Sequence, residues 1–243
     1  MRTPAIWLAL AVGACASGDP PRPAPARSAE GLPVTGRAPY DAYFQQIRRI
    51  EVRAKELGAR AQSLSGPVAI ALELPVSAPT EDLAAALQKV AKRCARLGLG
   101  VRIVVSAGAA TPAARLETTG DAPLPPHLSP GLGAAAAALT EALVLAPDLE
   151  DANSQGEGLR TEGQRLTQET PADFSKRGSV YARAVAREVS DAAQRLDSAV
   201  TSLREARDFT RTFLALLPDA TAEATSGPRV PAITPAAPRL TTP

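Results

Sequence analysis

The chain has 243 residues and a formal net charge of +2 at pH 7, from 27 lysines and arginines against 25 aspartates and glutamates. Because the two signs are balanced and interspersed, no basic patch indicates a nucleic-acid-binding surface. Only 3% of the residues are aromatic although 45% are hydrophobic, so alanine and leucine supply most of the apolar content. Alanine favours helices, whereas strands are rich in β-branched and aromatic residues. The composition predicts one mainly α-helical domain of ordinary size.

The chain begins with a short apolar segment that ends at a cysteine. Residues 5–14, AIWLALAVGA, follow a single basic residue, Arg2, and precede Cys15. About ten apolar residues are too few to span a bilayer, which takes roughly 20, but they match the apolar region of a secretory signal peptide. We therefore predict a signal peptide over 1–14. An ordinary secretory signal with an incidental cysteine, or a short buried helix, is the alternative.

The residues around this cysteine, Val12-Gly13-Ala14-Cys15, resemble the lipobox of bacterial lipoproteins. The resemblance covers about the first 16 residues and implies cleavage before Cys15 and attachment of acyl chains to Cys15 itself. Ala16 follows where an aspartate would signal retention in the inner membrane of enteric-type bacteria. The resemblance thus implies an outer-membrane protein that faces the periplasm. Several acyl chains anchor a protein stably, so the lipid on Cys15 is the expected membrane attachment.

Two proline-rich segments flank the predicted domain. Of the 23 prolines, six lie in 20–39 and six in 218–243. We predict that 15–39 comprises the acylated cysteine and an extended tether, which spans about 3 Å per residue in the polyproline conformation. We predict that 218–243 is a disordered tail of proline, alanine and threonine. The helical bundle domain would then span 40–217.

The first part of this domain has the periodicity of a bundle helix. Apolar residues alternate at spacings of three and four: Tyr40, Tyr43, Ile47, Ile50, Ala54, Leu57, Ala61 and Leu64. Such a narrow stripe is typical of coiled-coil or bundle packing. Residues 67–74, PVAIALEL, are either a short strand or one further helical turn after Pro67. A second helix follows from residue 80 and is expected to end at Gly98, because glycine is common just after a helix.

A small β-hairpin and two long helices complete the predicted domain. Alternating apolar residues predict strands near 101–106 and 113–118. The two long helices are predicted over about 130–167, with a kink at Pro147, and over about 174–217. The predicted fold is a mainly α antiparallel bundle of long helices with a small β-hairpin insertion, flanked by disordered N- and C-terminal segments.

The bundle topology also leads to a prediction about aromatic residues. In an antiparallel bundle the start of the first helix lies beside the end of the last one. Tyr40, Tyr43 and Phe44 should then cluster with Phe209 and Phe213 at the end of the bundle next to the tether.

Few residues indicate catalysis. The single histidine, His127, lies in a proline-rich loop, and neither GxSxG nor HExxH occurs. Residues 131–136, GLGAAA, match GxGxxA, but no strand flanks them as a dinucleotide site requires. Cys94 lies on the apolar face of its helix and lacks an intramolecular partner if Cys15 is acylated, so we interpret it as a small buried residue; an intermolecular disulfide or a reactive thiol is the alternative. We expect no catalytic residue, no cofactor and no resident metal.

One segment has the spacing of a calcium-binding loop. In residues 151–162, DANSQGEGLRTE, positions 1, 3, 6 and 12 of an EF-hand loop are Asp151, Asn153, Gly156 and Glu162. Gln155 at position 5 is longer than the usual residue there, and no second loop is present. The alternative is a helix, since an apolar stripe runs through the segment at Leu149, Ala152, Gly156, Leu159, Gly163 and Leu166.

The sequence therefore predicts a membrane-anchored envelope lipoprotein whose helical domain acts as a non-catalytic binding or scaffolding module, with an envelope protein as its partner. The alternative is a ligand-carrying lipoprotein, with a small molecule in the bundle or calcium bound by Asp151, Asn153, Gln155 and Glu162. An apolar cavity with a few convergent polar groups would favour the carrier.

Overall fold

The computed structural model of the chain describes residues 24–106, 112–120 and 123–225, with side chains as far as Ala222. The predicted signal peptide and Cys15 lie outside these residues. The elements in chain order are β1 (Ala26–Arg27), β2 (Pro33–Val34), α1 (Ala38–Ser63), α2 (Ser65–Ala71), α3 (Thr80–Arg96), β3 (Gly100–Ser106), β4 (Ala113–Thr119), α4 (Ser129–Asp173) and α5 (Ser179–Thr225). The predicted mainly α bundle with a small β-hairpin is confirmed.

The two longest helices, α4 and α5, form an antiparallel pair that runs the length of the domain. A short 3-10 turn, Ser175–Arg177, connects them, and Gly178 takes a φ of 90° before α5 begins. Surface ion pairs follow the antiparallel register: Arg160 lies 2.7 Å from Asp197, and Arg211 lies 3.1 Å from Glu150. Residues at spacings of three and four form a stripe along α5 that is buried throughout, at Val185, Val189, Ala192, Leu196, Ala199, Leu203, Ala206, Thr210, Phe213 and Leu217.

Helix α1 packs on one half of this pair. It is antiparallel to α4, as the ion pairs from Arg53 to Asp151 and from Arg60 to Glu141 show. It is therefore parallel to α5, and Arg195 of α5 lies 3.4 Å from Glu51 of α1. Every residue of the predicted α1 stripe is buried. We call the end of the bundle that contains the start of α1 the N-terminal end, and the opposite end the distal end.

The distal end is completed by α2, α3 and the β3–β4 hairpin. The two strands pair antiparallel, with Ile103 opposite Leu116. The backbone amide of Ile103 donates a 3.0 Å hydrogen bond to Thr221 Oγ1 near the end of α5. The amide of Ala114 donates to Thr140 Oγ1 of α4 at 2.9 Å. These bonds attach the small sheet to both long helices.

Helices α2 and α3 end in the same hydrogen-bonded motif with different residues. After α3, Gly98 takes a φ of 77°, and the amide of Leu99 bonds the carbonyl of Cys94 at 3.0 Å. After α2, the corresponding left-handed residue is Glu73, with a φ of 59°, and the amide of Leu74 bonds the carbonyl of Ala69 at 2.8 Å. Both ends are Schellman motifs, in which glycine is the usual left-handed residue. The segment 67–74 is thus largely helical, which settles the choice between helix and strand.

The described residues that flank the predicted bundle contain regular structure that the sequence analysis does not predict. The predicted extended tether over 15–39 contains the β1–β2 hairpin, whose Leu32 is buried against the bundle. The predicted tail over 218–243 begins with two further turns of α5, which continues through Pro218 to Thr225. Burial of Ala220 and Thr221 beside β3 explains this extension. Tertiary packing has outweighed the local effect of proline.

Helix α4 is long and has an apolar composition. It contains an 18-residue window with a mean hydropathy of 1.4, and among the described residues it is the one helix long and apolar enough to cross a membrane. Within that window 44% of the residues are buried inside the protein. Its leucines 132, 139 and 145 are fully buried in the core. The core helix of a bundle has the same length and composition, so these properties alone do not identify a membrane span.

Candidate functional site

The calcium-loop interpretation of residues 151–162 is wrong, because the segment lies within the continuous helix α4. Along a helix the first and last proposed ligands, Asp151 and Glu162, are about 16 Å apart, whereas calcium ligands lie within about 2.6 Å of one ion. The apolar stripe through the segment, the alternative interpretation, is buried throughout. Among the described residues, no group of three or more histidines, cysteines, aspartates or glutamates could hold a metal ion.

Three of the four proposed calcium ligands, Asp151, Gln155 and Glu162, have structural partners instead. Asp151 accepts hydrogen bonds of 2.9 Å from both Arg53 of α1 and Gln155. Glu162 pairs with Arg165 at 2.6 Å. Asn153 is buried in the core, and its Oδ1 has no hydrogen-bond partner among the described residues. Asp151, Gln155 and Glu162 therefore take part in contacts along α4 or between α4 and α1.

At the N-terminal end, the chain that leads into α1 is held against the bundle. Asp41 Oδ1 accepts hydrogen bonds from the backbone amide and hydroxyl of Thr35, at 2.7 and 2.9 Å. Arg177, which follows α4, donates to the carbonyl of Thr35 at 2.7 Å. Arg27 pairs with Glu188 of α5 at 2.5 Å. Together with buried Leu32, these contacts fix where the chain joins the bundle.

The aromatic residues at this end form a cluster different from the predicted one. Tyr40 packs edge-on against Phe174 with ring centroids 5.0 Å apart, and Phe174 lies 5.6 Å from Tyr181. The predicted cluster of Tyr40, Tyr43 and Phe44 with Phe209 and Phe213 is wrong, because α1 runs parallel to α5 and its start lies beside the start of α5. Phe209 and Phe213 pack on each other at 6.0 Å in the distal half.

The hydroxyl group of Tyr40 is hydrogen-bonded, whereas that of Tyr43 is not. Tyr40 donates to Asp173 Oδ2 at 3.0 Å. Burial raises the pKa of Tyr40; the hydrogen bond with Thr170 opposes this shift and the one to Asp173 adds to it. Tyr43 Oη is buried without a partner among the described residues, and burial raises the pKa of Tyr43 to about 12. Its ring packs directly on Gly163 of α4, where any side chain would overlap it.

Two grooves at opposite ends of the domain could receive a ligand. The groove at the N-terminal end, between the β1–β2 hairpin and α1, has a volume of about 620 Å³. In its lining Arg48 pairs with Glu51 at 3.4 Å and Asp41 holds Thr35, whereas Glu30, Gln45 and Arg49 form no side-chain hydrogen bond or ion pair among the described residues.

The distal groove, which we define as the cleft between the end of α2, one face of α3 and the start of α4, has a volume of about 380 Å³. Its apolar lining includes Leu72, Leu74, Val90 and Leu128, and its polar lining comprises Glu73, Lys89, Arg93 and His127. Lys89 and Arg93 form no ion pair within the described part of the chain. His127 lies in the loop before α4, as predicted, and is exposed.

One feature of the sequence indicates this groove. Lys89 and Arg93 are four residues apart and therefore share a face of α3 with Ala86 and Val90. A stripe of mixed cationic and apolar residues at this spacing differs from a purely solvated face. The sequence does not indicate that the end of α2 lies opposite this stripe, or that Glu73 has a positive φ.

Gly131 and Cys94 have packing roles near the same end. A Cβ atom at Gly131 would lie 2.6 Å from Leu72 Cδ2, so the glycine permits the close approach of α2 to α4. No strand leads into the GLGAAA segment, whose helix begins at Ser129. Cys94 is a free cysteine in the core, and burial raises the pKa of its thiol. A buried, protonated thiol is a poor nucleophile.

An exposed apolar corner lies at the distal end, formed by Gly66, Ile70 and Val76. Ile70 on α2 is 66% exposed and Val76 in the following loop is 60% exposed. A Cβ atom at Gly66 would lie 3.7 Å from Val76 Cγ1, and Ile70 is one helical turn after Gly66. These two large apolar side chains therefore lie on the same part of the surface.

Comparisons with protein-family models, with curated protein sequences and with solved structures find no match to this chain.

Proposed function

We propose that this chain is a lipid-anchored envelope protein whose helical domain binds a protein partner and catalyses no reaction. The anchor would be the acyl chains on Cys15, and by the lipobox analogy with Ala16 the membrane would be the outer membrane, on its periplasmic face. The observation that carries the proposal is the position of two features at opposite ends of the bundle. The chain joins the bundle at one end, and the exposed apolar corner lies at the other.

The length of the connection supports this arrangement. Ala24, the first residue that the structure describes, follows Cys15 by nine residues. Nine residues span at most about 30 Å even when fully extended. An anchor at Cys15 would thus keep the N-terminal end of the bundle close to the membrane surface. Helix α1 alone then extends about 35 Å from Tyr40 to Ser63, so the apolar corner would face away from the bilayer.

The exposed apolar corner supports a protein partner. Single exposed apolar residues are common on protein surfaces, but neighbouring large ones rimmed by polar residues indicate an interaction site. The partner would present a complementary apolar patch at a fixed height above the membrane. Anchoring confines both molecules to one layer and raises their effective concentration for each other.

Photo-crosslinking in intact native cells tests this proposal. A photoreactive amino acid replaces Ile70 or Val76 in the full-length chain, and the matched control carries it at Glu205, which is exposed on α5. We expect one envelope protein to be captured from positions 70 and 76 and not from position 205. Substitution Ile70→Asp should abolish capture from position 76. Equal capture from all three positions, or no capture of any protein, would contradict the proposal.

A further inference from the structure

The distal groove combines an apolar floor with cationic groups on one side. Leu72 and Leu74 from the end of α2 and Val90 of α3 are half-buried, and Leu128 is buried beneath them. Their exposed faces give the groove an apolar strip that no other described element covers. Its volume of about 380 Å³ is within the range of about 300–1,000 Å³ found for small-molecule sites.

The cationic side comes mainly from α3. Lys89 and Arg93 are one turn apart, which brings the bases of their side chains to about 6 Å of each other. Like charges at this spacing repel, and no carboxylate of the described residues lies within 4 Å of either. His127, on the loop before α4, also lines the groove. An anionic group placed between them would remove the repulsion and accept several charge-assisted hydrogen bonds.

The helix dipole alone does not account for this pair. Basic residues are favoured in the last turn of a helix, and Lys92 and Arg96 occupy the end of α3 as well. That second pair is equally spaced and equally exposed, but it does not line the groove. The same helix therefore provides two cation pairs, of which only one borders an apolar strip.

The rim of the groove is held in a strained conformation. Glu73 has a φ of 59°, a left-handed conformation that is unfavourable for a residue with a side chain. The Schellman hydrogen bonds of Glu73 and Leu74 maintain it. This geometry places Leu72 and Leu74 on the groove, and Glu73 is the one carboxylate among the described residues that lines it.

We propose that the distal groove binds a single-chain amphiphile with an anionic head group. The apolar chain lies along Leu72, Leu74 and Val90, and the head group lies between Lys89, Arg93 and His127. A fatty acid and a phosphorylated single-chain lipid share this chemistry. The inference goes beyond the proposed partner binding and does not depend on the anchor at Cys15.

Isothermal titration calorimetry on the purified full chain tests the site with two probes below their critical micelle concentrations. Dodecanoate carries a carboxylate head and dodecyl phosphate carries a phosphate head, so their relative affinities identify the head group. We expect saturable binding of one probe molecule per chain. Dodecyl maltoside, which has the same chain and a neutral head, should bind at least tenfold more weakly.

Matched charge-reversal variants distinguish the groove from general electrostatic attraction. The double substitution Lys89→Glu with Arg93→Glu should weaken anionic probe binding at least tenfold. The control pair Lys92→Glu with Arg96→Glu makes the same charge change on the same helix and should leave binding within twofold. Ala86→Phe, which fills the groove without changing charge, should also abolish binding, and Glu73→Gln should strengthen it.

Three results would overturn the proposal. These are equal loss of binding in the two charge-reversal pairs, equal affinity for the neutral amphiphile, and absence of saturable binding to the unmodified chain. Circular dichroism melting of each variant establishes that it is folded at the titration temperature, so that a loss of binding is assigned to the groove.

Discussion

The hydroxyl group of Tyr43 is buried without a hydrogen-bond partner among the described residues. A buried polar group left unpaired costs about 1–3 kcal/mol, and the phenylalanine ring has the same shape without the hydroxyl group. Substitution Tyr43→Phe should therefore raise the free energy of unfolding by about 1 kcal/mol. Urea denaturation at pH 7 measures the change. Destabilisation would mean that the hydroxyl group has a stabilising partner, such as a buried water molecule.

The same tyrosine predicts a stability change at alkaline pH. Burial, followed by the charges of Asp197 and Glu162, raises the pKa of Tyr43 to about 12, whereas an unfolded tyrosine has a pKa of about 10. Because the folded-state pKa is the higher one, the contribution to stability is fully present below pH 10 and is lost as the pH rises to 12.

The stabilities of the parent and Tyr43→Phe chains at pH 9 and pH 11 check this. The parent should lose more of its free energy of unfolding over this interval than the variant does, because only the parent can ionise a tyrosine at position 43. Equal losses in the two chains would indicate that Tyr43 titrates normally.

Two glycines of α4 provide a matched test of helix packing. A Cβ atom at Gly163 would overlap the Tyr43 hydroxyl group and lie 2.9 Å from its Cζ, whereas one at Gly158 would meet nothing within 4 Å. Alanine is favoured over glycine in a helix by about 1 kcal/mol. Gly158→Ala should thus stabilise the protein by about that amount. Gly163→Ala should destabilise it by about 1–3 kcal/mol, the usual cost of overpacking a core.

Thermal and urea unfolding of both glycine variants measure the difference. The opposite sign of the two effects is the informative result, because both substitutions make the same chemical change in the same helix. Stabilisation by Gly163→Ala would show that α1 lies farther from α4 than the structure has it.

At the level of elements, we expect the β1–β2 hairpin to be the element that most easily detaches while the rest of the fold stays intact. It is short, and its buried apolar contact is formed by Leu32, which is 8% exposed, together with Pro25 and Pro33. Substitution Leu32→Asp places a charge in that contact. It should release the hairpin by local unfolding and increase tryptic cleavage after Arg27 at least tenfold, while the helices stay folded.

Val34 provides the control for this experiment, because it lies in the same hairpin and is 39% exposed. Val34→Asp should leave the cleavage rate after Arg27 nearly unchanged. If Leu32→Asp also lowers the melting temperature of the helices by more than a few degrees, the hairpin folds cooperatively with the bundle rather than as a separable element.

The helices were predictable from the sequence because burial imposes a period on them. The stripes of α1 and α5 follow spacings of three and four residues, and each of their positions is buried. The same rule explains the failure of the calcium-loop interpretation. The stripe from Leu149 to Leu166 crosses the segment without interruption, and packing of this stripe outweighs the weak helix propensity of three glycines.

The end of a helix was predictable only where the residue type at that position indicates its backbone conformation. Gly98 indicates the end of α3, since glycine adopts a positive φ without strain. Glu73 performs the same task after α2 and gives no such signal. The β1–β2 hairpin was missed for a related reason. Its proline content suggested an extended chain, and the contact of Leu32 with the bundle depends on tertiary structure.

Relative directions of helices were not predictable from periodicity. The aromatic cluster was assigned to the wrong partners because the prediction treated the first and last helices as antiparallel. The chain in fact passes through α2, α3 and a β-hairpin before α4 begins, and this path makes α1 parallel to α5. A stripe shows that a helix has a buried face without identifying the element that covers it.

At the scale of the whole molecule, the N-terminal end of the bundle carries exposed cations as well as the entry of the chain. Lys176, Arg183 and Arg187 are exposed and form no ion pair within the described residues. Basic residues near an anionic membrane surface contribute about 1 kcal/mol each. Under the proposed anchoring, these side chains would face the bilayer and assist the acyl chains without replacing them.

Two variants of the full chain separate the two contributions in cell fractionation. Cys15→Ser removes the acylation site and should move most of the protein from the membrane fraction to the soluble fraction. Lys176→Glu with Arg183→Glu keeps the acylation site and should leave the protein in the membrane fraction. Several acyl chains contribute far more free energy of membrane binding than two surface charges do. Unchanged membrane retention of Cys15→Ser would contradict the lipid anchor. Release of the charge variant instead would assign membrane attachment to the basic end of the bundle.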